Sequence, residues 1–130
     1  MMRNISQQRG VTLMELMIVV VVMAILATMA IPGYETFMQR SKRSEAREAL
    51  ADFASRQEQF FLDNKTYASA VSDLGRSATT PKGYYTITLP SASTTAYTLR
   101  ATAQGPQAKD TACKTMNLTS SREKTPTACW

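Results

Sequence analysis

From Leu16 to Ile31 the chain carries no charge, and a single carboxylate, Glu15, stands at the head of that stretch. The otherwise apolar run begins at Val11 and stops at Ile31, just before Pro32 and Gly33. With its flanks it nearly spans about 30 Å of hydrocarbon at ~1.5 Å per helical residue. An acid at the centre of a membrane helix costs about 2.5–3.5 kcal/mol on insertion scales. A carboxylate kept beside such a segment implies a specific partner for it. An ordinary secretory signal would end in a small-x-small site, which Thr28-Met29-Ala30 supplies only loosely, and it would not hold an acid. A plain signal anchor is a second reading. A buried helix of a soluble protein is a third, and the Val19–Val22 run and the basic flank argue against it.

The ten residues ahead of the run sharpen this. Met1 to Gly10 is polar, holds Arg3 and Arg9 and has no acid. Gly10 meets the apolar run at Val11, and Glu15 is the fifth residue after that glycine. This arrangement resembles the class III signal of type IV prepilins. The resemblance implies cleavage between Gly10 and Val11 by a membrane prepilin peptidase, which then N-methylates residue 11. The family usually has Phe there, and this chain has Val11. It also implies an inner-membrane protein with a cytoplasmic N-terminus, which the arginines of the leader favour. Arg40, Lys42 and Arg43 follow the run and weaken that bias.

Bulk composition excludes little. A chain of 130 residues suits one small domain plus the N-terminal segment. The divisions expected are a leader at 1–10, a transmembrane and filament-core helix at 11–33, and an extracytoplasmic domain at 34–130. The formal charge of +5 falls to +3 once Arg3 and Arg9 leave, and that mild excess alone does not argue for nucleic acid. Cys113 and Cys129 are not a CxxC pair, and without histidine they do not form a usual zinc site. In the exported setting that the leader implies, they most simply form a disulfide. Closing a loop of about 15 residues stabilises by ~3 kcal/mol in the chain-entropy model.

Residues 12 to about 63 read as one long helix, which Pro32 and Gly33 should interrupt. Beyond that pair, Tyr34, Phe37 and Met38 are apolar at helical spacing, and so are Ala46, Ala49, Leu50, Phe53, Phe60 and Phe61. Arg43, Arg47, Glu48, Arg56 and Glu58 form the opposite face, expected in solvent. Asn64 is expected to take the left-handed cap. A connector over 64–83 follows, anchored by Tyr67, Val71 and Leu74. Alternation predicts strands at 84–89 and 96–103, separated by a turn at 90–95, and a shorter third strand at 114–118. A tight turn is expected at Ser120–Glu123. The fold class is α+β: a long N-terminal helix, membrane-spanning then amphipathic, packed on a small antiparallel β-sheet with a C-terminal disulfide loop.

The segments from Gln59 to Tyr67, Gly83 to Thr86, Tyr97 to Leu99, Gly105 to Gln107 and Asp110 to Cys113, ending in Cys129 and Trp130, resemble the PilE-like minor-pilin branch of type IV pilins. The function this implies is structural: a pilus subunit, of the minor kind, serving twitching motility, adhesion or DNA uptake. The partners implied are other major and minor pilins, the prepilin peptidase/methyltransferase, the inner-membrane assembly platform, and the inner membrane before assembly. Glu15 is the assembly residue, facing the ammonium of Val11 within or between subunits, where a register role is the better-attested use of a buried ion pair. No cofactor or metal is expected, and no enzyme constellation is present, there being no histidine, phosphate loop or carboxylate pair in a cleft context. Lys109, Lys114, Arg122 and Lys124 cluster in sequence near the disulfide loop, and one reading takes them as a DNA-binding patch. The plainer reading is a solvated loop interspersed with Asp110 and Glu123. Alternatives to a pilus subunit are a type II secretion pseudopilin and an anchored periplasmic domain with no filament role.

Overall fold

The computed structural model describes residues 9–130. The expected leader, apart from Arg9 and Gly10, lies outside the described residues. One helix, α1 (Leu13–Asn64), is followed by four strands: β1 (Tyr85–Ala92), β2 (Tyr97–Ala103), β3 (Thr115–Thr119) and β4 (Lys124–Thr125). The chain divides into two compact units, the first reaching Phe37 and the second running from Met38 to Trp130.

In the first unit the helix exposes its apolar side chains on every side, from Leu13 to Ile31, and Val11 just ahead of it is exposed as well. This segment of α1 is long and apolar enough to cross a membrane. The helix is not interrupted at Pro32 and Gly33, contrary to expectation. Pro32 leaves the Thr28 carbonyl without its usual donor, but the turns on both sides are already formed. Resuming the helix there needs no new nucleation, so one lost bond is tolerated. The Thr28 hydroxyl donates to the Ile25 carbonyl (2.6 Å) and the Thr36 hydroxyl to the Pro32 carbonyl (3.2 Å), bracketing the pair. Tyr34 and Phe37 also depart from expectation. Both are exposed and join no core stripe.

In the second unit Ala46, Leu50, Phe53 and Gln57 are the buried face of α1. Across from them the sheet contributes Tyr85, Ile87, Tyr97, Leu99, Ala101, Met116 and Leu118. Strand alternation accounts for this set, because one sheet face is buried and the other is not. The sheet is an antiparallel meander in chain order, β1-β2-β3-β4. Beyond one-residue shifts at strand ends, the structure departs from the sequence reading in three places. β1 runs on to Ala92, with an irregular register between Thr88 and Ser91 that absorbs Pro90. A fourth strand pairs Asn117 with Thr125 and Leu118 with Lys124, too short to show alternation. The helix ends at Asn64, but the left-handed residue is Lys65 (φ 59°), while Asn64 Nδ2 donates to the Phe60 carbonyl.

The face of α1 expected in solvent is partly committed. Arg43 is mostly buried and donates from Nε and Nη2 to both oxygens of Asp110 at 2.7 Å. Those hydrogen bonds raise its pKa above the ordinary guanidinium value. Arg47 Nη1 donates to the Cys129 carbonyl (2.9 Å) and Arg56 Nη1 to the Leu74 carbonyl (3.1 Å). Gln57 is fully buried in the apolar stripe because its amide pairs both ways with Ala68, donating to the carbonyl (3.0 Å) and accepting from the N–H (2.8 Å). Such pairing removes the desolvation cost that would otherwise keep an amide out of a core.

Two outcomes follow for the full chain in detergent micelles, read by urea unfolding through its one tryptophan, Trp130. Arg43→Ala strands a buried Asp110 carboxylate and should cost about 3 kcal/mol, the low end for breaking a buried pair. A loss under about 0.5 kcal/mol would show the pair to be incidental. Burial pushes the Tyr97 hydroxyl up to about 12. Its neutral form therefore contributes stability that is whole below about pH 10 and is lost as pH rises towards 12. Tyr97→Phe should flatten the fall in stability across that window, and equal slopes in both chains would discount Tyr97.

Candidate assembly and nucleic-acid surfaces

At the N-terminal end the helix opens with Thr12, Leu13, Met14 and Glu15, the spacing of a capping box. The Thr12 hydroxyl accepts a hydrogen bond from the Glu15 N–H (3.2 Å), and the Thr12 carbonyl receives the N–H of Leu16 (3.2 Å). The Glu15 carboxylate lies in the first turn, where the helix dipole favours negative charge. It has no partner among the described residues and is exposed. The motif S/T-x-x-E is legible in the sequence at Thr12 to Glu15.

Among the described residues nothing in the fold requires a glycine at position 10. A Cβ built there meets nothing within 4 Å, and its backbone is not in the left-handed region. Val11 beside it is exposed. The two residues that would flank a cut are thus accessible, and neither packs into the fold of the described residues.

At the other end the disulfide joins Cys113 and Cys129, with Cα atoms 5.8 Å apart. The chain from Gln107 to Cys129, which contains the disulfide, is laced to α1 at three points. Besides Arg43–Asp110 and Arg47–Cys129, Gln107 Nε2 donates to the Gln39 carbonyl (2.9 Å) and to the Tyr85 hydroxyl (3.0 Å). Burial raises the Tyr85 pKa, and the bond from Gln107 opposes that rise. Gln107 carried no signal in the sequence, since a buried glutamine is recognisable only by its partners.

The four basic residues read as one cluster do not form one. Lys114 and Arg122 flank opposite ends of β3, so about 17 Å of strand separates them at ~3.3 Å per residue. Lys124 turns to the helix side, its ammonium 5.1 Å from the centre of the Trp130 ring. What holds is a broader asymmetry. Beyond residue 73 the chain has seven basic side chains, Arg76, Lys82, Arg100, Lys109, Lys114, Arg122 and Lys124, against two acids, Asp110 and Glu123. Arg43 already neutralises Asp110. No strand contains a carboxylate. The acids sit on α1 and the connector, where Asp52 pairs with Arg56 and Arg76 (both 3.2 Å). Among the described residues no group of His, Cys, Asp and Glu could hold a metal ion.

Known proteins place this architecture. Residues 5–31 match the family model for the prokaryotic N-terminal methylation motif. Residues 32–117, well over half of the chain, match the model described as type IV minor pilin ComP, DNA uptake sequence receptor. The type IV major pilin protein PilA of Myxococcus xanthus (strain DK1622) is 42% identical over 69 residues, 53% of this chain and 31% of that protein. The chain thus spans about a third of the length of that curated relative. A type IV pilin from Shewanella oneidensis has the same fold, with a TM-score of 0.56 over 71% of this chain and 97% of that one, at 23% identity. The chain belongs to the type IV pilin family, and within it to the family that the matched minor-pilin model describes.

Proposed function

We propose that this type IV pilin is a minor subunit that enters the pilus through its apolar helix and binds DNA during uptake. The observation that carries the reading is the match of residues 32–117 to a family described as a DNA uptake sequence receptor. The excess of cations beyond residue 73 supports it, because a phosphate backbone is bound chiefly by Lys and Arg. Lys109, Lys114 and Arg122 are exposed and have no carboxylate partner among the described residues. They are the phosphate contacts in this reading. It favours the DNA-uptake role over twitching or adhesion.

Assembly begins in the inner membrane with the N-terminus cytoplasmic. The prepilin peptidase cuts between the accessible Gly10 and Val11, and Val11 is N-methylated. The first domain boundary is then the cut itself, the helix to residue 33 is the membrane and filament-core segment, and the rest is extracytoplasmic. The assembly platform passes the subunit to neighbouring pilins. Removing the leader creates an ammonium at Val11, costly in an apolar core unless paired. Glu15 is free to pair with the ammonium of an adjacent subunit, since inside its own chain the hydroxyl of Thr12 already caps the helix. The apolar surface from Val11 to Ile31 supplies the bulk attraction, and the ion pair selects the axial register.

Glu15→Val should be inserted and cut but absent from sheared filaments. Thr12→Val loses the cap, worth about 1 kcal/mol, but keeps the carboxylate and should enter filaments normally. Filament entry by the Glu15 variant would refute the register role. For DNA, the full chain in detergent should bind a 30-bp duplex with an affinity that falls steeply with salt. Replacing Lys114 and Arg122 by Ala should reduce the slope of log K against log salt by about 2, at ~0.9 per phosphate contact. Absent or salt-independent binding would overturn the DNA reading.

A further inference from the structure

Resting on that DNA reading, we infer that Arg100 reads a base edge, guanine in the major groove, while the loop cations hold phosphates. Strand register places Thr88, Arg100, Asn117 and Thr125 in one row across β1 to β4 on the outer sheet face. The surrounding outer positions are hydroxyl-bearing: Thr86, Thr98, Thr102, Thr115 and Thr119. Arg100 is the cation at the middle of this carboxylate-free face. Polyanion is the occupant its charge suits, and Ser, Thr and Asn are common donors to phosphate.

The pairing of Arg100 separates it from the four arginines of the second unit that bind carboxylates or carbonyls, and its place within a strand separates it from Arg40 on the helix and Arg122 in a turn. Arg43, Arg56 and Arg76 are paired with carboxylates, and Arg47 with a carbonyl. Arg100 Nε donates instead to a neutral side chain, Asn117 Oδ1, at 2.9 Å. Asn117 is steadied in turn by Nδ2 donating to the Thr125 hydroxyl at 3.5 Å. This relay fixes the guanidinium plane across three strands and keeps its charge. The two terminal nitrogens have no partner among the described residues. Two parallel donors on one edge match the O6 and N7 acceptors of guanine, the commonest specific protein–DNA contact. Arg100 lies on β2 directly opposite Asn117 of β3, next to the short β3–β4 edge of the sheet. Sites carried on strands also hold geometry better than sites on loops.

The test is selection by the full chain in detergent from duplexes with a randomised 12-bp centre, followed by sequencing. The native chain should enrich a motif containing a guanine. Arg100→Lys keeps the charge, so affinity for the unselected pool should stay within about 3-fold, while preference at one position falls by about 10-fold or more. Arg100→Gln should shift that same position towards adenine, the base Gln recognises. Trp130 fluorescence confirms that each variant is folded. If Arg100→Lys enriches the same motif as strongly, or the native chain binds without preference, the inference is overturned and DNA binding stands. If the native chain binds no duplex at all, the DNA reading falls with it.

Discussion

The C-terminal third of the molecule depends on one buried ion pair. Asp110 lies in irregular chain between two short 3-10 turns, where few backbone bonds define its position. The bidentate grip of Arg43 supplies the missing constraint. It fixes the stretch from Gln107 to Cys113 on the helix, so Cys113 faces Cys129 and β3 begins in register with β2. It also neutralises one of the two acids beyond residue 73. One interaction thus serves packing and electrostatics together.

That pair was hidden in the sequence for a physical reason. Periodicity shows which residues are apolar, and from Gln39 to Glu45 nothing is. Burial of Arg43 is set by a residue 67 positions away, and no local pattern encodes such a partner. Gln57 and Gln107 were invisible in the same way. The strands were legible because burial of one face imposes a period of two, and Tyr85, Ile87, Tyr97 and Leu99 obey it. The chain ends of those strands were less so, because Pro90 looks like a terminator yet sits at an irregular register inside β1. Pro32 and Gly33 misled similarly. Propensity marks a weak point, but whether a helix breaks there is decided by the helix on either side.

The basic residues teach a related lesson about reading sites. Closeness in sequence suggested a patch, yet a strand carries its ends apart by several ångströms per residue. Lys114 and Arg122 are therefore two ends of a line, and Lys124 faces elsewhere. Arg100 drew no notice in the sequence because it is one exposed residue in an alternating strand. Its meaning comes from the neighbour opposite it, Asn117, and from the absence of acids around both.

The order of the sheet has a consequence for how the protein is made. Each strand lies beside the strand that precedes it in the chain. A domain whose residues emerged from a membrane in chain order, following the apolar helix, would find every partner already present as the next strand emerged. Pairings between near neighbours in sequence also carry a small loop-closure cost and favour rapid folding. The second unit can therefore be complete before its subunit meets another, and the filament is supplied with finished parts rather than with chains that must fold against one another.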